Sequence, residues 1–441
     1  MKVLVVGGGG REHAIASALS RSGSVVYSVM KNHNPGIARL ADDFKLIKET
    51  DVDKVVEYAL SRSIDMAVVG PESPLEVGLV DTLEAMEIKC MGPTRLAARL
   101  EISKSFARSV MRKHQVPGNI EFATFDNLKD AKKYVMDQDK DLAVKPVGLT
   151  GGKGVKVMGE HLLTKQDAIH YLEEIFDQNI GGGGVVLEEK LIGEEFTLQA
   201  FCDGSNVIPM PLVQDHKRAY EGDVGPNTGG MGSYSQENHL LPFVSAQDRD
   251  TALDIMRRTV AAMAEEGCPY RGVLYGQFMN TRDGPRVIEF NARFGDPEAM
   301  NVLSIISSSF TEICEGIADG DLPPSKVQFQ HKATVCKYVV PRGYGTEPMA
   351  GLEIKVDEKA IAREGARSYF AMVNEEGGRI LTTTSRGVGV VGIDDTIEAA
   401  ERACEKALTH VTGEAIFVRH DIGRPEVLRQ RVEHMKQVRT K

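Results

Sequence analysis

Short apolar runs alternate with helical patterns in the N-terminal part of the chain, and this alternation restricts the possible folds most strongly. Residues 3–6, 25–30 and 64–69 have the length and composition of buried strands. Residues 52–60 place their apolar side chains along one stripe of a helix. Strands that alternate with helices build parallel sheets covered by helices on both faces. The sequence therefore predicts a doubly wound, mostly parallel sheet in this region.

Length and a later change of pattern indicate several domains. The chain has 441 residues, too many for one ordinary core. After residue 121 the pattern becomes α+β, with residues 142–146 and 155–158 predicted as strands on either side of a glycine-rich loop. Pro323 and Pro324 indicate a linker. Beyond the linker, strand patterns near 334–340 and 388–391 and a helical pattern from 396 to about 408 predict a smaller α+β domain.

The bulk composition argues against several classes of protein. With 42% hydrophobic and 26% charged residues, the chain has the composition of a folded globular protein. A formal net charge of −10 argues against broad electrostatic binding to nucleic acid or anionic membranes. No apolar run has the length of a membrane span, and the six cysteines form no Cys-x-x-Cys pair. We expect a cytoplasmic protein with buried cysteines.

Residues 289–298 concentrate metal-type ligands and a cation in one short segment. Glu289 and Asn291 stand two residues apart at the end of a predicted strand, so both side chains point to the same face. Hard oxygen ligands of this kind suit a phosphate-bound Mg²⁺. If the strand persists, Arg293 adds a permanent cation on that face. The alternative is a solvated strand end before a Gly-Asp-Pro turn.

The preceding hairpin supplies a third oxygen ligand. Residues 271–280 and 285–291 have strand patterns, with Asp283 and Gly284 between them. A three-residue loop centred on Asp283 places Gln277 directly opposite Glu289. We therefore predict that Gln277 lies beside the metal-type ligands.

Residues 148–154 have the composition of a phosphate-binding loop, because glycines allow backbone N–H groups to approach anionic oxygens. A Walker loop would need glycine at position 147 and Ser or Thr at 154, where Val147 and Gly154 stand. The alternative is a flexible hairpin tip. Lys145 lies in an apolar strand just before the loop, where an unpaired ammonium is costly. We expect an anion beside this lysine.

Two further segments have donors for anionic groups. Gly8, Gly9 and Gly10 open a helix and suit a terminal phosphate, although Glu12 stands where a dinucleotide fingerprint needs its third glycine. Tight packing of a strand-to-helix turn explains these glycines equally well. Residues 215–218, Asp-His-Lys-Arg, precede a glycine-rich loop at 225–232. A charge run of this kind can also be a solvated face.

Taken together, these motifs resemble those of the ATP-grasp ligases, and most closely those that join glycine to 5-phosphoribosylamine. The resemblance extends over nearly the whole chain. Its motifs lie at residues 7–14, 69–75, 92–94, 103–104, 151–154, 214–218, 225–232 and 289–298. The 225–232 and 289–298 segments are the most specific. Ile102, Pro146 and Val147 depart from the family pattern.

The resemblance implies an α/β and α+β multidomain architecture built on the ATP-grasp fold. The implied domains are an N-terminal Rossmann-like domain at 1–102, an ATP-grasp domain at 103–325 and a C-terminal α+β domain at 326–441. A mobile lid is implied at about 121–192, with ATP between two α+β units.

The resemblance also implies a role for individual residues. The nucleotide contacts are Lys104, Lys145, Gly151, Gly152, Lys153, Gly154, Glu188, Leu191 and Glu195. The ligands of Mg²⁺ or Mn²⁺ are Glu289 and Asn291, joined by Gln277 from the hairpin register. The substrate contacts are Asp215, Lys217, Asn227, Thr228 and Arg293, with Gly8, Gly9 and Gly10 at the sugar phosphate. Lys145, Asp215, Lys217 and Arg293 are the implied catalytic groups.

The implied reaction joins glycine to 5-phosphoribosylamine through glycyl phosphate, with ATP converted to ADP and phosphate, in purine biosynthesis. The implied partners are these small molecules, with neither nucleic acid nor membrane, in a monomer or small homo-oligomer. A second possibility is another ATP-grasp carboxylate–amine ligase of purine metabolism. A nucleotide-binding oxidoreductase and a noncatalytic nucleotide sensor are possibilities from other classes.

Overall fold

The computed structural model describes residues 1–149 and 154–440. The N-terminal part is a parallel sheet in the order β3-β2-β1-β4-β5, which confirms the predicted doubly wound arrangement. Its strands are β1 (Lys2–Val6), β2 (Val25–Met30), β3 (Ala41–Leu46), β4 (Met66–Val69) and β5 (Lys89–Met91). Its helices are α1 (Gly10–Arg21), α2 (Pro35–Leu40), α3 (Val52–Ser61), α4 (Glu72–Glu76) and α5 (Leu79–Ala85).

A small α+β unit follows, reached through helices α6 (Arg99–Ile102) and α7 (Lys104–Lys113). Its antiparallel sheet has the order β6-β9-β7-β8 and its own apolar core, which includes Val144, Leu172 and Leu187. The elements are β6 (Phe122–Phe125), α8 (Leu128–Asp137), β7 (Leu142–Pro146), β8 (Lys156–Val157), α9 (Lys165–Asp177), a 3₁₀ turn (Ile180–Gly182) and β9 (Val185–Glu189). This core is separate from the main apolar core of the chain.

The next sheet faces the small unit and has the antiparallel order β11-β10-β16-β17. A hairpin that turns after Asp203 joins its first two strands. The strands of this part are β10 (Glu194–Asp203), β11 (Val207–Pro209), β12 (Gln214–Asp215), β13 (Arg218–Tyr220), β14 (Val224–Asn227), β15 (Gly232–Ser235), β16 (Arg271–Thr281) and β17 (Gly284–Asn291). The helices are α10 (Ala246–Glu265), α11 (Glu298–Ile305) and α12 (Phe310–Asp319), followed by a 3₁₀ turn (Pro324–Lys326).

The C-terminal part extends a sheet that begins in the central part, in the order β12-β15-β18-β23-β20. The predicted helix at 396–408 is present as α14, with Thr396 as its N-cap. The strands are β18 (Ala333–Pro341), β19 (Glu353–Val356), β20 (Ala366–Phe370), β21 (Val373–Glu376), β22 (Arg379–Thr382), β23 (Val388–Asp394), β24 (Val411–Gly413) and β25 (Ile416–Phe417). The helices are α13 (Glu358–Arg363), α14 (Ile397–Leu408) and α15 (Pro425–Thr440).

All six cysteines are buried, as the sequence predicts. Within residues 1–149 and 154–440, no helix is both long enough and apolar enough to cross a membrane.

Candidate active site

A cavity of about 900 Å³ lies between the small α+β unit and the sheet that contains β16 and β17. Many of the residues singled out from the sequence border this cavity. Those residues are Lys104, Lys145, Glu188, Leu191, Glu195, Asp215, Lys217, Asn227, Thr228, Gln277, Glu289, Asn291 and Arg293. The cavity thus brings together groups from distant parts of the chain.

Gln277 lies opposite Glu289 in the hairpin of β16 and β17, as predicted, but not for the predicted reason. The loop has two residues rather than three, because Thr281 pairs with Gly284. The register then shifts between Gln277 and Phe278, where Ile288 is an extra residue on β17. The bulge compensates for the shorter loop and restores the predicted pair.

Arg293 does not continue the strand, which corrects the expectation that it extends the face of Glu289. Strand β17 ends at Asn291, and the chain bends immediately afterwards. The guanidinium nevertheless returns to the ligand face, since Nη2 lies 3.2 Å from Oδ1 of Asn291. Its other partners are Glu101, at 3.0 Å, and Glu72, at 3.4 Å. These three side-chain contacts, together with a hydrogen bond from Nη1 to the Phe294 carbonyl oxygen at 3.3 Å, fix the orientation of the cation.

Glu101 was not identified from the sequence. This carboxyl group is 6% exposed, and it also accepts a hydrogen bond from the Ala292 N–H. Burial raises the pKa of Glu101 to about 7, although the nearby Arg293 favours the charged form. The sequence signal that could have identified Glu101 is its position three residues before Lys104.

Lys145 is almost fully buried on β7, as its apolar surroundings predict. Its Nζ lies 2.6 Å from Oε2 of Glu188 and donates to the carbonyl oxygen of Ile288 at 3.2 Å. Glu188 also pairs with Nε of Arg108 at 2.7 Å. Burial opposes ionisation of Glu188, but Arg108 and Lys145 outweigh it and lower its pKa to about 2. The Glu188 carboxylate therefore pairs with two cations, Lys145 and Arg108, at the border of the cavity.

Lys104 approaches the same cavity from the start of α7. Its Nζ donates to the carbonyl oxygen of Gly148 at 3.2 Å. Burial lowers the pKa of Lys104, while the charge of Glu289 opposes this effect. Burial likewise disfavours the charged form of Glu289, but Lys104, Lys217 and Lys145 together hold its pKa below normal. These lysines thus keep Glu289 ionised.

The 215–218 segment lies across the cavity from the lysines. Lys217 Nζ lies 3.3 Å from Oε2 of Glu195, and Gln277 Nε2 donates to the same oxygen at 2.6 Å. Burial raises the pKa of Asp215 to about 7, with Lys217 opposing and Glu298 adding to the shift. Asp215 is therefore harder to ionise than an exposed aspartate.

Glu298, from the end of the motif, is a second buried carboxylate here that the sequence left without a role. It is 2% exposed, and its Oε1 accepts from the Tyr275 hydroxyl at 2.8 Å. Motif analysis identified the segment, but the partner on β16 is visible only in the fold.

Asn227 and Thr228 belong to the glycine-rich loop beside Lys217. The Thr228 hydroxyl and backbone N–H both donate to the Lys217 carbonyl oxygen at 2.8 Å. The same hydroxyl accepts from the N–H of Gly230 at 3.1 Å. These bonds fix the loop against the cationic segment.

Gly8, Gly9 and Gly10 are separate from this group of residues, since none of the described residues that border the cavity belongs to this turn. The N–H of Gly9 donates to the chain's own Glu12 at 2.7 Å. The Gly9 N–H, one of the donors expected for a phosphate, therefore already has a partner within the chain. A phosphate site at this turn stays a prediction.

The centre of the predicted phosphate loop, with Gly151, Gly152 and Lys153, lies outside the described residues. Leu149 and Val155, on either side of it, border the cavity. Gly154 is described, and its carbonyl oxygen accepts from the Tyr171 hydroxyl at 2.7 Å.

The donor set of the hairpin fits a hard divalent cation. Glu289 supplies a carboxylate whose charge the neighbouring lysines preserve. Asn291 presents an amide oxygen, and Gln277 uses its nitrogen toward Glu195, which leaves its oxygen for another partner. Oxygen donors of this kind suit magnesium or manganese better than zinc or copper.

Family models match most of the chain. Residues 1–101 match the N domain of phosphoribosylglycinamide synthetase, residues 102–299 match its ATP-grasp (A) domain, and residues 334–425 match its C domain. The ATP-grasp match contains Lys104 and Lys145 together with the hairpin residues Gln277, Glu289 and Asn291.

Relatives match over the full length. The chain is 53% identical over 439 residues to the phosphoribosylamine–glycine ligase of Methanoregula boonei, covering 99% of this chain and 100% of that one. It is 52% identical over 441 residues to that of Methanothermobacter thermautotrophicus, covering 100% of both. The crystal structure of the Thermotoga maritima phosphoribosylamine–glycine ligase has a TM-score of 0.82 at 27% identity, covering 96% of this chain and 100% of that one. These matches show that the chain belongs to the phosphoribosylamine–glycine ligase (phosphoribosylglycinamide synthetase) family of ATP-grasp enzymes.

Proposed function

We propose that the chain ligates glycine to 5-phosphoribosylamine at the expense of ATP, giving glycinamide ribonucleotide, ADP and phosphate in purine biosynthesis. The observation that carries this proposal is the meeting of the buried Lys145 and the half-buried Lys104 with Glu289 and Asn291 in one cavity, in a chain about half identical to ligases of that name. We further propose a cytoplasmic location and a monomer or small homo-oligomer.

Lys104 and Lys145 bind the phosphate groups of ATP, and residues 151–154 close over them. The backbone of the 188–191 segment contacts the adenine, because the Glu188 carboxylate is already paired with Lys145. Glu195 contacts the ribose. Support comes from the positions of Lys104, Lys145, Leu191 and Glu195, which all border one cavity.

Gln277, Glu289 and Asn291 hold the divalent cation, with Mg²⁺ as the expected ion and Mn²⁺ as a substitute. When bound, the ion neutralises charge on the phosphoryl oxygens and orients them. The permanent charge of Arg293 lies beside it and acts on the same groups.

The chemistry has two steps. A carboxylate oxygen of glycine attacks the γ-phosphorus, the bond to the β,γ-bridging oxygen breaks, and ADP leaves. The amine of phosphoribosylamine then attacks the carbonyl carbon of glycyl phosphate, the C–O bond to phosphate breaks, and the nitrogen loses a proton. Positioning and charge neutralisation contribute most of the acceleration.

Substrate residues lie on the other side of the cavity. Arg293 stabilises the acyl-phosphate oxygens, Asp215 and Lys217 contact phosphoribosylamine, and Asn227 and Thr228 line the glycine site. Gly8, Gly9 and Gly10 receive the sugar phosphate in this proposal.

The test is ADP formation with phosphoribosylamine generated in situ, omitting glycine, the sugar amine and the divalent ion in turn. We expect each omission to abolish the turnover. Replacement of glycine by another carboxylate substrate with retained turnover would favour a different ATP-grasp ligase. ATP binding without glycine-dependent ADP release would indicate a sensor.

A further inference from the structure

The C-terminal helix α15 lies beyond most of the family match, yet it forms part of the cavity wall. The match to the C domain ends at residue 425, where this helix begins. Leu428, Met435 and Val438 bury its apolar face. Arg431 and His434, on the same helix, border the cavity.

Both cavity-facing residues of the helix bind one buried carboxylate. Glu194 is 4% exposed at the start of β10. Its Oε2 lies 3.1 Å from Nη1 of Arg431, and its Oε1 lies 2.6 Å from Nδ1 of His434. A buried carboxylate whose two oxygens have different partners has a fixed orientation, because any rotation breaks at least one of these contacts in a poorly solvated place.

Glu194 lies in the chain between two segments proposed to contact the nucleotide. It follows the proposed adenine-contacting segment and directly precedes Glu195, the proposed ribose ligand. The preceding Gly193 packs against the Asn280 carbonyl so closely that a Cβ would clash with it. The backbone at this point therefore tolerates little displacement, and the orientation of Glu194 is coupled to that of Glu195.

Arg431 also reaches the opposite side of the cavity. It pairs with Asp223, which accepts from Nη1 of Arg419 at 2.8 Å and lies 3.3 Å from Nδ1 of His216. His216 stands between Asp215 and Lys217. One guanidinium thus links the nucleotide side of the cavity to the substrate segment.

We propose that Arg431 and His434 are positioning residues for ATP, acting by holding Glu194 and, through the chain, the adenine- and ribose-contacting segment. This inference rests on the proposed function for the identity of the nucleotide. The C-terminal helix is therefore part of the nucleotide site, although neither side chain takes part in phosphoryl transfer.

The experiment compares Arg431→Met, Arg431→Lys and His434→Ala with wild type in the full-length protein. Arg429→Met is the matched control, because Arg429 is exposed on the same helix and, among residues 1–149 and 154–440, its ion pair is the local one with Glu426. The measurements are KM for ATP, KM for glycine, kcat, the Kd of MgADP by calorimetry, and the melting temperature.

We expect Arg431→Met to raise the KM for ATP and the Kd of MgADP about tenfold, with smaller rises for His434→Ala and partial recovery in Arg431→Lys. The KM for glycine and kcat change less than about twofold, because phosphoryl transfer uses other groups. Arg429→Met behaves as wild type.

Unchanged MgADP affinity in folded variants would overturn the inference, as would equal losses in kcat and both KM values, which indicate a merely structural role. If Arg431→Met does not fold, His434→Ala and Arg431→Lys decide the question. The calorimetric arm is independent of turnover. A wild-type protein that binds MgADP but fails to ligate glycine therefore refutes the proposed function alone.

Discussion

The ammonium group of Lys145 lies 2.6 Å from the carboxylate of Glu188, and both side chains are almost fully buried. Lys145 lies on β7 and Glu188 lies on β9, which are adjacent strands of the small α+β unit. The carbonyl oxygen of Ile288 in the hairpin bulge accepts from the same ammonium. This arrangement connects the small unit to the metal-type ligands on β17.

Replacement of Lys145 by Met should destabilise the protein by about 3 kcal/mol or more, because one partner of a buried ion pair is lost. Arg108 remains as the only cation in contact with Glu188 among the described residues. Urea unfolding measures the effect. Lys132→Met is the control, since its partner Glu173 is substantially solvent-exposed and the cost should stay below about 1 kcal/mol. Equal losses in the two variants would contradict this account.

Replacement of Glu289 by Gln should reduce turnover by about two orders of magnitude, because charge stabilisation by the bound divalent ion is weakened. The concentration of Mg²⁺ needed for half-maximal rate should rise at the same time. A titration of ADP formation against Mg²⁺ measures both quantities. Glu173→Gln, on the exposed surface of α9, should leave them unchanged. A wild-type Mg²⁺ dependence in Glu289→Gln would remove this residue from the metal site.

Replacement of Arg293 by Ala should lower kcat by about two to three orders of magnitude and leave the KM for ATP nearly unchanged, because its proposed partner is the acyl phosphate. Glu101 and Glu72 lose a common partner, so the folded state is checked by circular dichroism. Arg293→Lys keeps the charge without the bidentate geometry and should be intermediate. Near-normal turnover in a folded Arg293→Ala variant would exclude this role.

Glu101 should make stability depend on pH. Its pKa rises from 4.5 to about 7 on folding, so the folded state binds the proton more tightly. The favourable contribution is complete below pH 4.5 and is lost as pH rises through about 7, with a full size of roughly 3 kcal/mol. Glu101→Gln removes this dependence.

Urea unfolding at pH 5 and pH 8 tests the prediction for Glu101. The stability of Glu101→Gln relative to wild type should increase with pH. A difference between variant and wild type that is independent of pH would show that Glu101 has an ordinary pKa in the folded protein.

Local patterns predicted much of this molecule. The parallel sheet and the 396–408 helix follow from periodicity, whereas the Gln277–Glu289 pair was predicted from a loop length that the structure does not have. Strand β3 was missed because all of its residues are at least partly exposed at the sheet edge, so no apolar run marks it. The bulge at Ile288 has no local signature, and only the pairing of the strands reveals it.

Long-range proximity was the part that the sequence could not supply. Glu101 lies in the first half of the chain and Arg293 in the second, and their pairing requires the docking of α6 on the end of β17. Arg431 reaches Glu194 because α15 returns to the central sheet. Neither contact produces a periodic pattern or a motif spacing in the sequence, because both depend on how separate elements pack.

The most direct test of the central claim is a crystal structure with ADP and Mn²⁺, using anomalous scattering to locate the ion. We predict a manganese peak within about 2.0–2.4 Å of oxygens from Glu289 and Asn291, with the nucleotide phosphates in contact with Lys104 and Lys145. A manganese peak elsewhere, or phosphates that contact neither lysine, would contradict the account.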